Sequence, residues 1–162
     1  MESNVDKVIL AVLLIVAIAY FFYKNQGSSE QADKNRQVGA AFLAENKTKD
    51  GVVETASGLQ YLVLRKGEGS VNPKASDRVK VHYHGTLIDG SVFDSSVERG
   101  APLSFGLNQV IKGWTEGVQL MAVGDKTRFF IPADLAYGNR KAGKIEPGST
   151  LIFDIELLAI NE

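Results

Sequence analysis

Leu151, Phe153, Ile155 and Leu157 fall on alternate positions of one unbroken run, with Asp154 and Glu156 between them. Successive side chains of an extended chain point to opposite faces, so this period of two puts four large apolar groups on one side of a strand. Three other stretches behave alike. Leu59, Tyr61 and Val63 share one face; Val79, Val81 and Tyr83 share another, with Lys80, His82 and His84 turned the opposite way; Thr127 to Ile131 forms a further strand. Between them Val110 to Met121 mixes helix formers with Gly113 and Gly117 and reads as one short helix. Predominantly antiparallel strands around a single helix define an α+β class.

A chain of 162 residues fits one domain and an appendage. Its formal net charge of −1 gives no footprint for nucleic acid. With no cysteine, disulfides, thiol catalysis and cysteine-based zinc sites are excluded, while the redox compartment stays open.

The amino-terminal segment divides into a tail, 1–7, and an uncharged run, 8–23, bracketed by Lys7 and Lys24. Those sixteen residues make a helix of about 24 Å, short for a hydrocarbon core of about 30 Å but within reach of snorkelling lysines. Tyr20, Phe21, Phe22 and Tyr23 cluster at its end as an interfacial belt does. The reading taken is a single-pass membrane anchor. A cleaved signal ending at Ala17-Ile18-Ala19 and a buried core helix stand beside it; Glu2 and Asp6 argue against the first, the lack of an amphipathic stripe against the second. Lys24, Lys34 and Arg36 after the run against Lys7 before it lean toward a cytoplasmic domain, a bias that long domains often override.

Within residues 24–50, the stretch 24–36 around Gly27-Ser28-Ser29 reads as a flexible, solvated linker or the frayed start of a helix, followed by a short amphipathic helix through Val38, Ala41, Phe42 and Leu43 that ends near Asp50-Gly51. The main domain is then 51–162.

Four short runs carry the chemistry: Val81-His82-Tyr83-His84-Gly85, Phe93-Asp94-Ser95-Ser96, Val110-Ile111-Lys112-Gly113-Trp114 and Leu135-Ala136-Tyr137-Gly138, followed by Leu151 to Leu158. They supply aromatic and branched side chains and almost no nucleophile, an inventory suited to an apolar pocket with a few polar groups at its rim. In order and spacing they resemble the FKBP family of peptidyl-prolyl cis-trans isomerases, from about Thr55 to Glu162. Gly39 to Asn46 and Thr55 to Tyr61 resemble the macrophage infectivity potentiator (Mip)-like bacterial branch, with its amino-terminal dimerisation domain missing here. The resemblance implies a curved antiparallel sheet wrapped around a short helix, preceded here by the single hydrophobic helix.

Isomerising an Xaa-Pro bond needs no proton abstraction. The barrier of about 18–20 kcal/mol comes from amide resonance. Twisting the bond reduces the charge separation between oxygen and nitrogen, so an apolar pocket favours the twisted state, and a hydrogen bond to the rotated carbonyl adds to this. By resemblance, Trp114 is the floor beneath the proline ring. Tyr83, Phe93, Val110, Ile111 and Phe153 are the walls, Tyr137 is the rim tyrosine, and the N–H of Ile111 is a donor to a ligand carbonyl. Asp94 is the polar residue near the twisting amide, with Arg99 its charge partner. Leu103 stands where many members have a pocket phenylalanine, and the loop 139–144, shorter and more basic than the eukaryotic one, lacks the first of two isoleucines found there, with Ile145 after it filling the second place. Taken singly, Trp114, Phe93 and Phe153 are equally at home in any core, and Asp94-Ser95-Ser96 in any turn.

His82 and His84 share a strand face, but two histidines without cysteine or an acidic cluster do not make a zinc site; no metal or cofactor is expected. Lys141 and Lys144 read as solvated surface. The expected function is isomerisation of Xaa-Pro bonds in folding polypeptides by a membrane-tethered domain. Tacrolimus and rapamycin are the macrolide ligands the family implies, and by analogy with Mip-like proteins the domain is periplasmic. A tethered Pro-peptide-binding module or chaperone is the alternative.

Overall fold

The computed structural model describes residues 4–162, with the side chains of residues 4–11, 22 and 24–27 left undescribed. A long helix, α1 (Asn4–Asn46), leads into β1 (Val53–Glu54), β2 (Gln60–Arg65), β3 (Arg78–Leu87), β4 (Val92–Ser95), α2 (Ser96–Arg99), β5 (Leu103–Gly106), α3 (Lys112–Val118), β6 (Lys126–Ile131) and β7 (Leu151–Ile160). Single 3-10 turns cover Leu107–Gln109 and Ala133–Leu135.

All pairings are antiparallel, in the order β1-β2-β6-β7-β3-β4, with β5 also on β3. β7 shows the alternation its sequence announces: every odd residue from Leu151 to Ala159 is buried. In β3, Val79, Val81 and Tyr83 are buried on the same inner face. These two strands pair Tyr83 with Ile155 and Gly85 with Phe153, which concentrates aromatic rings at one end of the sheet. Val63 departs from the expected pattern at 47% exposed, because the strand runs past the core at its end.

The helix between the strands is shorter than Val110 to Met121. Its two glycines set how closely it packs: a Cβ at Gly113 would stand 2.5 Å from Ile131 Cγ2, and one at Gly117 2.6 Å from Phe129 Cε1. Removing both side chains lets α3 lie directly on β6 and carries Trp114 into the core.

The amino-terminal half corrects the sequence reading. Of the two readings of 24–36, a flexible linker and the start of a helix, the segment takes the helical one, and the short helix expected after it is the end of α1. No proline occurs before Pro73, and Gly27, costing about 1 kcal/mol in a helix, is outweighed by the alanine, glutamine, glutamate and lysine around it. In the 1–7 tail helix begins at Asn4, and residues 1–3 lie outside the described residues. Among the described residues no helix is long and apolar enough to cross a membrane, so the single-pass anchor over 8–23 is not supported. The apolar stretch is a short part of a helix that runs on into polar residues, and the side chains of 8–11 are outside the description.

From Ala32 onward α1 packs on the domain. Phe42 meets Phe130 at 6.0 Å between ring centroids. Buried Asn46 donates to Gln60 Oε1 at 2.9 Å, while Gln60 Nε2 donates to the Leu43 carbonyl at 2.9 Å, which also accepts from the Lys47 N–H at 3.1 Å.

Candidate active site

A cavity of about 940 Å³ opens between α3, the end of the sheet and the segment after β6. Trp114, 5% exposed, lies at its base. Phe153 and Tyr83 stand edge-on to the indole, with centroids at 5.2 and 5.3 Å, and Phe93 stands edge-on to Phe153 at 5.3 Å. Such T-shaped pairs favour one ring orientation by about 0.5–1.5 kcal/mol each. Among the described residues the buried indole Nε1 has no hydrogen-bond partner, so packing within the core holds the ring. Gly85 makes the wall possible: a Cβ there would fall 2.6 Å from Phe93 Cζ and 2.8 Å from Phe153 Cε1.

One polar group is fixed against this apolar surface. The Tyr83 hydroxyl donates to Asp94 Oδ2 at 2.5 Å and accepts from Arg99 Nη2 at 2.9 Å, and Arg99 Nη1 donates to Asp94 Oδ1. Arg99 reaches back because Ser95 caps α2, accepting from the Glu98 N–H, and Gly100 ends the helix after one turn. Burial pushes the Asp94 carboxyl up, but the Tyr83 and Arg99 hydrogen bonds outweigh it and hold the group below 3.8. Burial, reinforced by that carboxylate, pushes the Tyr83 phenol up. At neutral pH the site therefore presents an ionised carboxylate and an intact hydroxyl.

The structure brings Tyr83, Phe93, Asp94, Val110, Ile111, Trp114, Tyr137, Ile145 and Phe153 to this one cavity, with Arg99 behind Asp94. Leu103 is not among the lining residues. It is 38% exposed near the start of β5, and the phenylalanine of that strand in the cavity is Phe105, edge-on to Trp114 at 5.7 Å. Phe105 was not singled out in the sequence, where Leu103 was given the place of the pocket phenylalanine. Lys112, Asp134, Arg140 and Lys144 were also missed as lining residues. His82 Nδ1 and His84 Nδ1 instead meet Ser96 Oγ and Ser95 Oγ at 3.0 and 2.9 Å, bracing the start of α2. No group of residues able to hold a metal ion occurs among the described residues.

Residues 69–158, more than half of the chain, match the model described as FKBP-type peptidyl-prolyl cis-trans isomerase. The chain belongs to the FKBP-type peptidyl-prolyl cis-trans isomerase family. Residues 14–63 match the domain amino terminal to FKBP-type peptidyl-prolyl isomerase, which corrects the expectation that nothing of that domain is present.

Among FKBP-type relatives, the isomerase FkpA of Aeromonas hydrophila is 56% identical over 142 residues, covering 85% of this chain and 53% of that protein. The outer membrane protein MIP of Legionella longbeachae is 49% identical over 135 residues, 83% of this chain and 58% of that protein. The crystal structure of FkpA from Escherichia coli superposes with a TM-score of 0.87 at 39% identity, covering 99% of this chain and 74% of that one. The chain thus spans about half the length of the curated FKBP-type relatives it matches.

Proposed function

We propose that the protein accelerates cis-trans isomerisation of Xaa-Pro bonds in polypeptide clients. The observation that carries this reading is the aromatic cavity over Trp114 with Asp94 held beside it by Tyr83 and Arg99. A proline ring seated on Trp114 sits in an apolar space where the less polar twisted amide is favoured over the planar one. Tyr83, Phe93, Phe105 and Phe153 exclude water and orient the ring, and Val110, Ile111 and Ile145 complete the apolar wall. Asp94 acts as a fixed charge near the twisting amide and needs no proton transfer. Tyr137 and the N–H of Ile111 supply donors for substrate carbonyls. Tacrolimus and rapamycin, which present an amide-bearing ring beside carbonyls, compete for the same space.

Protease-free isomerisation of a Leu-Pro peptide tests these roles. Asp94→Ala lowers kcat/KM by about tenfold and Trp114→Ala by at least as much, and rapamycin suppresses the wild-type rate. Asp94 is half-exposed, so its variant stays folded even where the loss of the indole does not. Unchanged rates in folded Asp94→Ala would falsify the role given to the carboxylate.

We also propose that the chain associates with a membrane and works on its periplasmic side. Val12 to Val16, Ile18, Tyr20 and Tyr23 are exposed along α1, and a related Mip protein carries an outer-membrane name. Flotation of the full chain with lipid vesicles checks this: binding that disappears when Leu13, Leu14 and Ile15 become serine is the expected result, and no co-flotation overturns it.

A further inference from the structure

The charges around the cavity are unevenly matched. Its lining contains two acids, Asp94 and Asp134, and three cations, Lys112, Arg140 and Lys144. Both acids are already compensated from behind, Asp94 by Arg99 and Asp134 by Arg36 of α1 at 2.7 Å. Each pair sums to zero and leaves the three cations. Among the described residues none of them has an ion pair or a side-chain hydrogen bond, whereas neighbouring Lys141, outside the lining, is held by Glu146 at 2.8 Å. The chain as a whole carries −1, so the positive rim is local.

Fold stability does not account for these positions. Lys112 occupies the first turn of α3, where no acidic residue balances it, and a cation at that end opposes the helix dipole. Arg140 and Lys144 come from the loop across the opening, about thirty residues on, so two separate walls converge on one sign of charge. Arg36 also donates to Asn139 Oδ1 from Nε and Nη2 at 3.1 and 2.9 Å, which holds the loop bearing two of the three cations.

We propose that this rim selects the client: the site favours Xaa-Pro bonds in acidic segments, with Asp or Glu within a few residues of the proline. The inference rests on the isomerase reading of the same cavity. Clefts lined by one sign of charge raise the encounter rate of the opposite sign, and the effect weakens once the screening length falls well below about 10 Å.

The test uses the full chain in the protease-free assay with peptides sharing a Leu-Pro centre, flanked by glutamate or by lysine. At low salt kcat/KM for the glutamate peptide exceeds that for the lysine peptide by about tenfold, the sum of three modest exposed pairings. The ratio shrinks to within about twofold at about 0.5 M salt. It also shrinks in Lys112→Gln/Arg140→Gln/Lys144→Gln and persists in Lys141→Gln. Should the triple variant fail to fold, the salt comparison on the wild type decides alone. Both peptides accelerated equally at low salt overturns the preference and leaves isomerisation standing. Acceleration of neither removes the isomerase reading and the preference with it.

Discussion

Asp125 shows how one side chain ties the domain together away from the cavity. It is 2% exposed, and its carboxylate accepts from Gly67 N at 2.7 Å, Ala122 N at 2.9 Å and Lys66 Nζ at 2.7 Å. Burial pushes its pKa up, but those hydrogen bonds win and hold it below 3.8. A carboxyl depressed in the folded state contributes stability that is complete above its unfolded value and lost as pH falls through the folded one. Asp125→Asn is therefore expected to lower stability at pH 7 by about 1–3 kcal/mol and to flatten the acid limb of urea midpoint against pH. Parallel limbs for wild type and variant count against it. Nothing in the sequence around Asp125 distinguishes it from a surface turn acid, because its partners at 66 and 67 arrive from the segment after β2 only once the chain has folded. Tyr83 and Phe153 are the opposite case: their strand parity already turned them inward.

Secondary elements act here as levers on the loop that closes the cavity. α1 meets both ends of the segment that carries Tyr137 and Ile145. Arg36 grips Asp134 and Asn139, and Asn35 Nδ2 donates to the Pro147 carbonyl at 2.7 Å. Ala32 presses so closely on Gly148 that a Cβ there would stand 2.3 Å from the Ala32 carbonyl oxygen. The helix thereby positions the rim, although it contributes no lining residue of its own. Arg36→Ala is expected to raise KM for a Leu-Pro peptide several-fold with a smaller change in kcat, since it loosens binding geometry and leaves Trp114 and Asp94 in place. A purely structural role would lower thermal stability alone, and equal KM values would point to that. The sequence pattern of α1 announced Phe42, which packs on Phe130, but not these contacts: a periodic apolar stripe marks packing through hydrophobic side chains, and beside Phe42 this helix docks through Ala32, Asn35, Arg36, Gly39 and Asn46.

At the scale of the whole molecule, α1 has two parts in one continuous helix. Among the described residues, contacts with the domain are seen from Ala32 onward, while Val12 to Val16, Ile18, Tyr20 and Tyr23 are exposed. Removing residues 1–27 should leave the unfolding temperature within about 2 °C, whereas removing 1–50 should lower it by at least about 5 °C, through exposure of Phe130 and Gln60 and loss of the Arg36 and Asn46 bonds. Equal temperatures for the two truncations would mean that the docked half of α1 adds nothing to the domain. The sequence alone determined the α+β class and the inward faces of β3 and β7, and its resemblance to a known family pointed to Tyr83, Phe93, Trp114, Tyr137 and Phe153 of the cavity but not to Phe105. Alternation and motif order are local properties, and burial of one strand face follows from them directly. Only the tertiary structure decided that α1 is unbroken, that Phe105 rather than Leu103 stands beside Trp114, and that Lys112 shares a rim with Arg140 and Lys144. Each of these depends on which distant segments meet, and short-range periodicity carries no record of partners a hundred residues away.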